Sequence, residues 1–534
     1  MKHELCGCHW IEGRWQSAGG ETFEAVNPAT GEALAPSFAE ATSGEVDAAL
    51  WAAREAFLAA RERDPRWPAE LLDAIAAQIE ALGDDLLERA ELETALPRAR
   101  LTGERARTCG QLRMFAQIVR EGSWVEAVID LGDPNRQPLP KPDLRRMFLP
   151  RGPAVVFGAS NFPFAFGTCG GDTASALAGG NPVIVKGHPS HPGASELFAS
   201  AVGAAIDECK LPAGLFALLQ GKRHELSGWL VQHPDTQAVG FTGSHRAGRA
   251  LFDLASQRET PIPVYAEMGS VNPVVILPAA VRERAEAIAK ELSVSLLLGG
   301  GQFCTKPGVV FVVNDRQRRF IDALAREVQA APTVTMLNRT LRDTFAERAA
   351  SFSNASGVRT IVSGTASGHA AMSPALFETS AEVFLHEPQL HDEAFGPGGV
   401  VVQCNSAEEA LLCVKSLGGN LTGTVHIGSD EDRSLAAQVL RTLECTVGRV
   451  IVNGYPTGVE VCRAIVHGGP YPATTDPGTT SVGSAAIRRF VRPVAYQNTP
   501  QEFLPPALHN DNPLGIMRLV NGEWTARTIE SQTQ

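Results

Sequence analysis

Five short apolar runs between residues 154 and 269 decide the fold, and most of them end in polar or glycine-rich segments. The apolar runs are residues 154–157, 182–185, 215–219, 238–241 and 263–266. With the residues that follow, these stretches read AVVFGASNFP at 154–163, PVIVKGHPSHP at 182–192, LFALL at 215–219, AVGFTGS at 238–244 and PVYAEMG at 263–269. Continuous apolar runs of this length, separated by helical spacings, are typical of strands buried on both faces of a parallel α/β sheet. We therefore predict a doubly wound, nucleotide-binding sheet in this part of the chain.

The flanking regions extend the α/β pattern. Apolar residues recur at helical spacing over 44–61 and, behind Pro68, from Leu71 to Leu86. The sequence also predicts a helix at about 101–120, an extended Pro-rich arm at 133–153 and a helix at about 281–298. Further strands are predicted at 273–277, 309–313, 360–362, 399–402, 423–426 and 450–452.

Composition excludes several classes of protein. The 534 residues carry 47 Lys and Arg against 59 Asp and Glu, so the net charge of −12 works against binding to a nucleic-acid backbone. No apolar stretch is long enough to span a bilayer, and the first residues lack the pattern of a signal peptide. The 10 cysteines lack zinc or redox spacing, so no metal site or disulfide framework is predicted. We expect a cytoplasmic protein.

Ligands of doubly wound sheets bind outside the carboxyl ends of the strands, so the residues after each run are candidates for a binding site. A helix that starts near Gly243 and Ser244, with Gly248 behind them, would point its N–H groups at a pyrophosphate. Such a glycine-rich turn also serves simple close packing. Lys186 fits a donor to ribose hydroxyls, although by itself it also fits a solvated charge.

Two later segments carry the densest signals for chemistry. Gly299, Gly300 and Gly301 directly precede Gln302-Phe303-Cys304, which predicts a backbone that approaches a ligand closely and a thiol that points into a cleft. The second segment, His391-Asp392-Glu393-Ala394-Phe395-Gly396-Pro397, is an acidic turn when considered alone.

Taken together and in this order, Asn161, Lys186, Gly243, Glu267, Cys304 and the Glu-x-Phe-Gly-Pro segment resemble the aldehyde dehydrogenase superfamily. Within it, the chain is most similar to the bacterial 2-oxoglutarate-semialdehyde (2,5-dioxopentanoate) dehydrogenase branch, which is close to NADP-dependent fatty-aldehyde dehydrogenases. The segments that carry this finer resemblance are Leu101–Arg105, Lys186–His188, Gly301–Thr305, Val466–Pro470 and Arg492–Asn498.

The resemblance implies a catalytic set of Cys304, Glu267, Asn161 and Lys186. Cys304 would add to the aldehyde carbon, the Asn161 amide and the Cys304 backbone N–H would bind the oxyanion, and Glu267 would activate water to hydrolyse the thioester. Burial at a strand end would raise the pKa of Glu267 towards neutrality.

The resemblance also implies binding residues and a substrate. The cofactor set is Lys186, His188, Ser190, Arg223, Gly243, Ser244, Gly248, Glu393 and Phe395. Pro189 stands where many NAD-preferring members carry Glu, so NADP is expected as the preferred cofactor, with NAD also possible. The substrate would be 2-oxoglutarate semialdehyde, from sugar-acid or hydroxyproline catabolism, and its expected contacts are Phe164, Arg107, Gln302, Phe303 and Arg463.

The implied architecture is the aldehyde dehydrogenase fold, and the implied assembly is a homodimer or a homotetramer. The predicted parts are an N-terminal part of the cofactor-binding domain (1–132), an oligomerisation arm (133–153), a Rossmann-like cofactor-binding domain (154–270), a catalytic domain (271–480) and a C-terminal oligomerisation strand with a tail (481–534). Two alternatives remain open at this point. One is an NADP-dependent fatty-aldehyde dehydrogenase, and the other is a cysteine hydrolase or acyltransferase without a nicotinamide cofactor.

Overall fold

The computed structural model describes residues 4–530, and within that range no helix is both long enough and apolar enough to span a bilayer. Two seven-stranded sheets and a five-stranded sheet form the framework. The strands, in chain order, are β1 His9–Ile11, β2 Arg14–Gln16, β3 Thr22–Val26, β4 Ala33–Ala39, β5 Val128–Asp130, β6 Leu144–Pro150, β7 Ala154–Phe157, β8 Val183–Lys186, β9 Phe216–Leu219, β10 Ala238–Thr242, β11 Val264–Glu267, β12 Val274–Ile276, β13 Val309–Val313, β14 Val334–Thr335, β15 Arg359–Val362, β16 Ala366–Ser367, β17 Ala371–Met372, β18 Ala375–Ser380, β19 Gly398–Cys404, β20 Asn420–His426, β21 Val447–Val452, β22 Val491–Gln497, β23 Arg518–Val520 and β24 Glu523–Thr525.

The helices cover both large sheets. In chain order they are α1 Ser43–Ala60, α2 Trp67–Ala81, α3 Gly83–Thr94, α4 Arg98–Glu121, α5 Gly171–Ala178, α6 Pro192–Glu208, α7 His224–Gln232, α8 His245–Ser256, α9 Pro278–Leu297, α10 Arg319–Ala330, α11 Arg339–Asn354, α12 Ala381–His386, α13 Ala407–Ser416 and α14 Arg433–Thr446. The prediction of a single helix from Leu71 to Leu86, behind Pro68, is wrong because the structure has two helices there. The chain breaks at Leu82, and Gly83, with a φ of +58°, begins a separate helix that carries Leu86.

The first large sheet, here called the cofactor sheet, has the strand order β11-β10-β7-β8-β9-β1-β2. All five predicted strands are confirmed within a residue or two at their ends, and they pair in parallel. Alternate residues of β7 enter different cores: Ala154 and Val156 pack on one face, and Val155 and Phe157 pack on the other. This two-sided burial explains why the run is apolar throughout.

The second large sheet, here called the catalytic sheet, has the order β15-β18-β19-β13-β12-β20-β21 and is parallel except for β15. All six strands predicted in this region are confirmed, but β18, a buried central strand, was not predicted. The third sheet, β22-β6-β5-β23-β24, joins the Pro-rich arm to the C-terminal segment.

The two large sheets meet where the carboxyl ends of the strands of one sheet face the amino ends of the strands of the other. The chain leaves the carboxyl end of β11 at Glu267 and enters the amino end of β12 at Val274. The outer edge of β11 is covered by a late segment: Met268 N–H donates to Ala473 O at 2.8 Å, and Thr475 N–H donates to Ala266 O at 3.1 Å. The carboxyl edge of the cofactor sheet therefore faces the amino edge of the catalytic sheet.

Candidate active site

Cys304 lies in the loop that enters β13, and its position is fixed by Asn272. The Asn272 amide donates to the carbonyls of Cys304 at 2.8 Å and Lys306 at 2.9 Å, while its oxygen accepts from the N–H of Thr422. Asn272 is fully buried, so these bonds are shielded from water. The nucleophile loop is thus tied to the start of β12 and to β20.

The three glycines before Cys304 serve the turn itself. Gly299, Gly300 and Gly301 have φ values of +59°, +69° and +66°, a region that side chains disfavour. A Cβ on Gly301 would lie 2.0 Å from Gly396 O, and one on Gly299 would lie 2.6 Å from the Phe303 ring. The close approaches of Gly299 and Gly301 in the structure are to the protein's own backbone and side chains, and a close approach of this loop to a ligand stays a prediction.

His467 stands between Cys304 and Glu267. Its Nε2 lies 3.4 Å from Cys304 Sγ and 2.9 Å from Glu267 Oε1. Glu267 ends β11, and its other oxygen accepts a hydrogen bond from Ser481 Oγ. His467 and Glu267 are both almost wholly buried. The three side chains form a thiol, imidazole and carboxylate series.

The charges in this series are set by burial and by contact. Burial, reinforced by the nearby carboxylate of Glu267, raises the pKa of Cys304 well above its usual value. Burial also acts to raise the pKa of Glu267, but His467 and Ser481 outweigh it and leave that pKa below its usual value. The prediction of a raised Glu267 pKa is therefore wrong. The sequence pattern does not show the imidazole and hydroxyl that stabilise the carboxylate.

Asn161 reaches the nucleophile loop from the segment that leaves β7. Its amide donates to Gln302 O at 2.9 Å, and Arg100 donates to the Asn161 carbonyl at 2.6 Å. The Gln302 side chain faces away from the thiol, because its oxygen accepts from Leu337 N–H and its nitrogen donates to Gly299 O. Within residues 4–530 the backbone N–H of Cys304 has no acceptor. The Asn161 amide therefore lies against the residue two positions before Cys304, and the Cys304 N–H is left without an acceptor in the described part of the chain.

Four of the expected cofactor residues lie at the end of β8 or follow β8 and β9. The Lys186 side chain makes no hydrogen bond or ion pair with any residue of the described range, and burial lowers its pKa to about 8. His188 Nδ1 accepts from Ser190 N–H at 3.1 Å, and Ser190 Oγ accepts from Asn338. Arg223 is exposed and pairs with Glu21 at 2.7 Å.

The glycine-rich turn begins α8. Ser244 is its N-cap and accepts from Ala247 N–H at 3.3 Å, and Gly243 and Ser244 are both exposed. A Cβ on Gly248 would lie 2.8 Å from Met268, and one on Gly243 would lie 2.6 Å from the Phe241 ring. Close packing explains both glycines, and the start of α8 remains open at the carboxyl edge of the sheet.

Glu393 and Phe395 lie in the segment that enters β19. Burial raises the pKa of Glu393 to about 7, against the opposing charge of Lys306. The Lys306 ammonium is buried and donates to the carbonyls of Ala394 at 2.5 Å and Gly398 at 2.7 Å, which fixes this segment to the nucleophile loop. A Cβ on Gly269 would lie 2.4 Å from Glu393 Oε2, so this carboxylate rests on the turn that follows Glu267.

Arg107, on α4, is the expected substrate residue whose charge interacts with the Cys304 thiol. Its guanidinium packs over the rings of Phe162 and Phe166, at 5.8 Å and 5.6 Å, and its buried Nε has no partner within the described residues. Burial lowers the pKa of Arg107, while the charges of Glu104, Cys304 and Glu267 act to raise it. Phe303 packs edge-on against Phe162 at 5.0 Å, beside this guanidinium.

The other two expected substrate residues lie elsewhere. Phe164 is fully buried in the core of the cofactor domain, edge-on to Phe198 at 5.2 Å, so it does not line the site. Arg463 is exposed on the surface. Both expectations rested on position in the sequence, which does not show which way a side chain points.

Sequence reasoning missed His467, Ser481, Phe166 and Arg449 as residues of the site. Burial lowers the pKa of Arg449, on β21, and the charge of Cys304 acts on it, although its side chain also donates to Pro456 O and Gly458 O. His467 lies 163 residues from its partner Cys304. The signals for it were its place directly before two glycines and in the segment Val466–Pro470, which carries part of the family resemblance.

Comparisons with known proteins agree with this geometry. The sequence model of the aldehyde dehydrogenase family matches residues 15–470. The chain is 48% identical to alpha-ketoglutaric semialdehyde dehydrogenase 2 of Azospirillum brasilense, over 97% of this chain and 98% of that protein. It is 43% identical to alpha-ketoglutaric semialdehyde dehydrogenase of Acinetobacter baylyi, over 97% and 99%. Aldehyde dehydrogenase C of Pseudomonas syringae, in complex with NAD+ and octanal, has a similar fold with a TM-score of 0.78 at 20% identity, over 92% of this chain and 97% of that one.

Proposed function

The chain belongs to the aldehyde dehydrogenase family, and from that premise we propose that it oxidises alpha-ketoglutaric semialdehyde to alpha-ketoglutarate. The observation that carries the choice of substrate is Arg107, a half-buried side chain whose buried Nε has no partner among residues 4–530 and whose charge interacts with Cys304. A semialdehyde with a carboxylate at its far end needs such a partner. Two relatives that are named alpha-ketoglutaric semialdehyde dehydrogenases align with 97% of this chain.

The thiol of Cys304 attacks the aldehyde carbon to give a thiohemiacetal. Because burial and Glu267 keep this thiol protonated, its proton must leave as the S–C bond forms. His467 Nε2 lies close enough to accept that proton, and the Glu267 carboxylate beside it stabilises the charged imidazole. The oxyanion accepts hydrogen bonds from the Asn161 amide and the Cys304 N–H, each worth ~3–4 kcal/mol in comparable sites.

The residues at the carboxyl edge of the cofactor sheet fit a nicotinamide dinucleotide. Among residues 4–530 the Lys186 ammonium has no hydrogen-bond or ion-pair partner, and α8 begins at the same edge with Ser244 exposed, which suits ribose hydroxyls and a pyrophosphate. Glu393 would accept from the ribose of the nicotinamide half, and Phe395 would pack near its ring. When bound, the cofactor supplies the acceptor for the electron pair of the aldehyde C–H bond.

Glu267 then acts as the base that activates water to hydrolyse the thioester. Its lowered pKa keeps it ionised at neutral pH, so it is ready to accept a proton without prior deprotonation. The same thiol, imidazole and carboxylate series would suit a cysteine hydrolase. The family and the unpaired Lys186 favour a cofactor-dependent reaction, in which absorbance of the reduced cofactor must accompany product formation.

We propose NADP as the preferred cofactor, with NAD also used. Pro189 leaves no carboxylate three residues after Lys186 to repel a 2′-phosphate, and we propose that His188, Ser190 and Arg223 donate to that phosphate when it is bound, Arg223 then leaving its partner Glu21. We further propose a homodimer or homotetramer that forms through the third sheet. Its outer strand β22 offers an unpaired edge, because it bonds only to β6 within the described chain.

A panel of aldehydes, assayed with both cofactors, tests the substrate. We expect a higher kcat/KM for alpha-ketoglutaric semialdehyde than for octanal or longer alkanals, and the reverse order would support a fatty-aldehyde dehydrogenase. In Arg107→Gln, the preference for the carboxylate-bearing aldehyde over a neutral aldehyde should fall roughly 10- to 100-fold, as expected for one charged hydrogen bond. Arg113→Gln is the matched control on the same helix, because Arg113 is exposed and pairs with Glu80 at 2.7 Å. An unchanged preference in Arg107→Gln would contradict the role of Arg107.

A further inference from the structure

The arrangement around the nucleophile brings together three different metal-ligand atoms. Cys304 supplies a sulfur, His467 a ring nitrogen and Glu267 a carboxylate oxygen, and these atoms all lie within 4.8 Å of one another. We propose that these three side chains form a binding site for Zn²⁺, and that zinc bound there inhibits the enzyme reversibly. This inference does not depend on which aldehyde is the substrate.

The distances between the ligand atoms fit tetrahedral zinc. Bonds of about 2.3 Å to sulfur and about 2.0–2.1 Å to nitrogen or oxygen place neighbouring ligand atoms roughly 3.3–3.6 Å apart. Cys304 Sγ and His467 Nε2 are 3.4 Å apart, and His467 Nε2 and Glu267 Oε1 are 2.9 Å apart. The second pair has to open by roughly 0.4 Å, which small side-chain rotations supply. Three protein ligands leave a fourth position for water.

The charges of the ligands also suit a divalent cation. A thiolate and a carboxylate together neutralise Zn²⁺, so a neutral complex replaces separate charges in a buried site. Binding of Zn²⁺ forms a Zn–S bond to Cys304 and releases the thiol proton, with any proton on His467 Nε2, to solvent. Ser481 Oγ donates to the other oxygen of Glu267 and orients the carboxylate as an outer-shell partner.

Inhibition follows from the identity of the ligands. The sulfur lone pair that attacks the aldehyde would be shared with zinc, and His467 could no longer accept the thiol proton. A second thiol pair complicates the measurement, because Cys6 is exposed and Cys8 lies two residues further on. Two neighbouring thiols bind zinc on their own account, so the test must remove them.

The test is direct metal binding to the full-length Cys6→Ser/Cys8→Ser protein, without aldehyde or cofactor. After treatment with a chelator, equilibrium dialysis against Zn²⁺ with metal analysis should give one zinc per chain. Co²⁺, used as a spectroscopic probe, should give a thiolate-to-metal charge-transfer band. Cys304→Ser should abolish both signals, and His467→Asn and Glu267→Gln should each weaken binding at least tenfold. Cys445→Ser, which removes an exposed thiol outside the site, should change neither.

The outcomes separate the proposal from its alternatives. Circular dichroism checks that each variant is folded, and the three ligand variants give independent tests if one of them is not. Retention of one zinc by folded Cys304→Ser would overturn the proposal, as would unchanged affinity in both His467→Asn and Glu267→Gln. In the parent protein, dehydrogenase activity should fall as the zinc occupancy rises and should return when a chelator is added. Full activity at full zinc occupancy would contradict the inhibition.

Discussion

The two large sheets use opposite edges to build one site. The cofactor sheet contributes residues from segments that leave its strands: Asn161 after β7, Lys186 at the end of β8 and Glu267 at the end of β11. The catalytic sheet contributes residues from segments that enter its strands: Cys304 before β13 and Glu393 before β19. The rule that ligands bind outside the carboxyl ends of strands therefore describes only half of this site.

This difference explains what the sequence could predict. Asn161, Lys186 and Glu267 could be singled out because they come after apolar runs, Lys186 and Glu267 directly and Asn161 after three further residues, and all three lie at the facing edges. Cys304 has no such position, and only the unusual glycine triplet drew attention to it. In the structure the glycines shape a tight turn, in which Gly301 lies against Gly396.

Residues outside both patterns were missed. His467 lies in neither a strand nor a helix, and nothing in the local sequence specifies a contact with Cys304. Arg107 was identified through the helix that carries it. Arg107 lies three residues after the buried Glu104, near the buried face of α4. Helical periodicity alone would therefore detect a charged residue close to the interior at this position. Side-chain direction is the information that the sequence lacked, as the buried Phe164 shows.

The largest expected effect on activity comes from a residue at the amino edge of the catalytic sheet. Cys304→Ala removes the nucleophile, and kcat should fall by about 10⁴-fold or more, as for other nucleophiles that act within a coupled set. Steady-state oxidation at saturating aldehyde measures it. The control is Cys445→Ser, which should keep wild-type activity. Substantial turnover by Cys304→Ala would mean that another group attacks the aldehyde.

Glu267, at the carboxyl edge of the cofactor sheet, should affect the hydrolysis of the thioester and not the attack on the aldehyde. In Glu267→Gln, steady-state turnover should fall by about 10²–10⁴-fold, the usual contribution of a general base. The first turnover should persist, so stopped-flow absorbance should show a burst of reduced cofactor. If both phases fall equally, Glu267 acts mainly with His467 on the thiol. If steady turnover stays near the wild-type rate, Glu267 is not the base.

Substitution of Gly269 tests the contact between the turn after Glu267, at the cofactor sheet, and Glu393, at the catalytic sheet. In Gly269→Ala the new Cβ would lie 2.4 Å from Glu393 Oε2 and would push the carboxylate away. We expect the KM for the cofactor to rise about tenfold, in line with the loss of one charged hydrogen bond. Gly228→Ala on α7 is the matched control, because its Cβ would meet no atom within 4 Å. Equal KM values for the two variants would contradict the proposed role of Glu393.

The smallest expected effect is a pH dependence of the KM for the cofactor, caused by Glu393 at the amino edge of the catalytic sheet. The pKa of Glu393 is raised to about 7, so its protonated form accumulates below that pH and loses acceptors for ribose hydroxyls. Lys306 is the cation that opposes this protonation. The KM for the cofactor should therefore rise severalfold as the pH falls from 8 to 6, by up to about tenfold per pH unit below the pKa. Glu393→Gln should have a high KM that varies little with pH, and a parallel pH profile in this variant would exclude Glu393 as the source.

The segment that covers the edge of β11 links the site to the order in which the protein folds. Thr475, whose hydroxyl accepts from Ala266 N–H, lies 209 residues after it in the chain. During synthesis from the N-terminus, the cofactor sheet therefore emerges with an open edge strand that only a much later segment can close. A contact of such high sequence separation is slow to form. The strand that ends at Glu267, the proposed base, is thus completed late, and until then the nascent chain exposes an open strand edge.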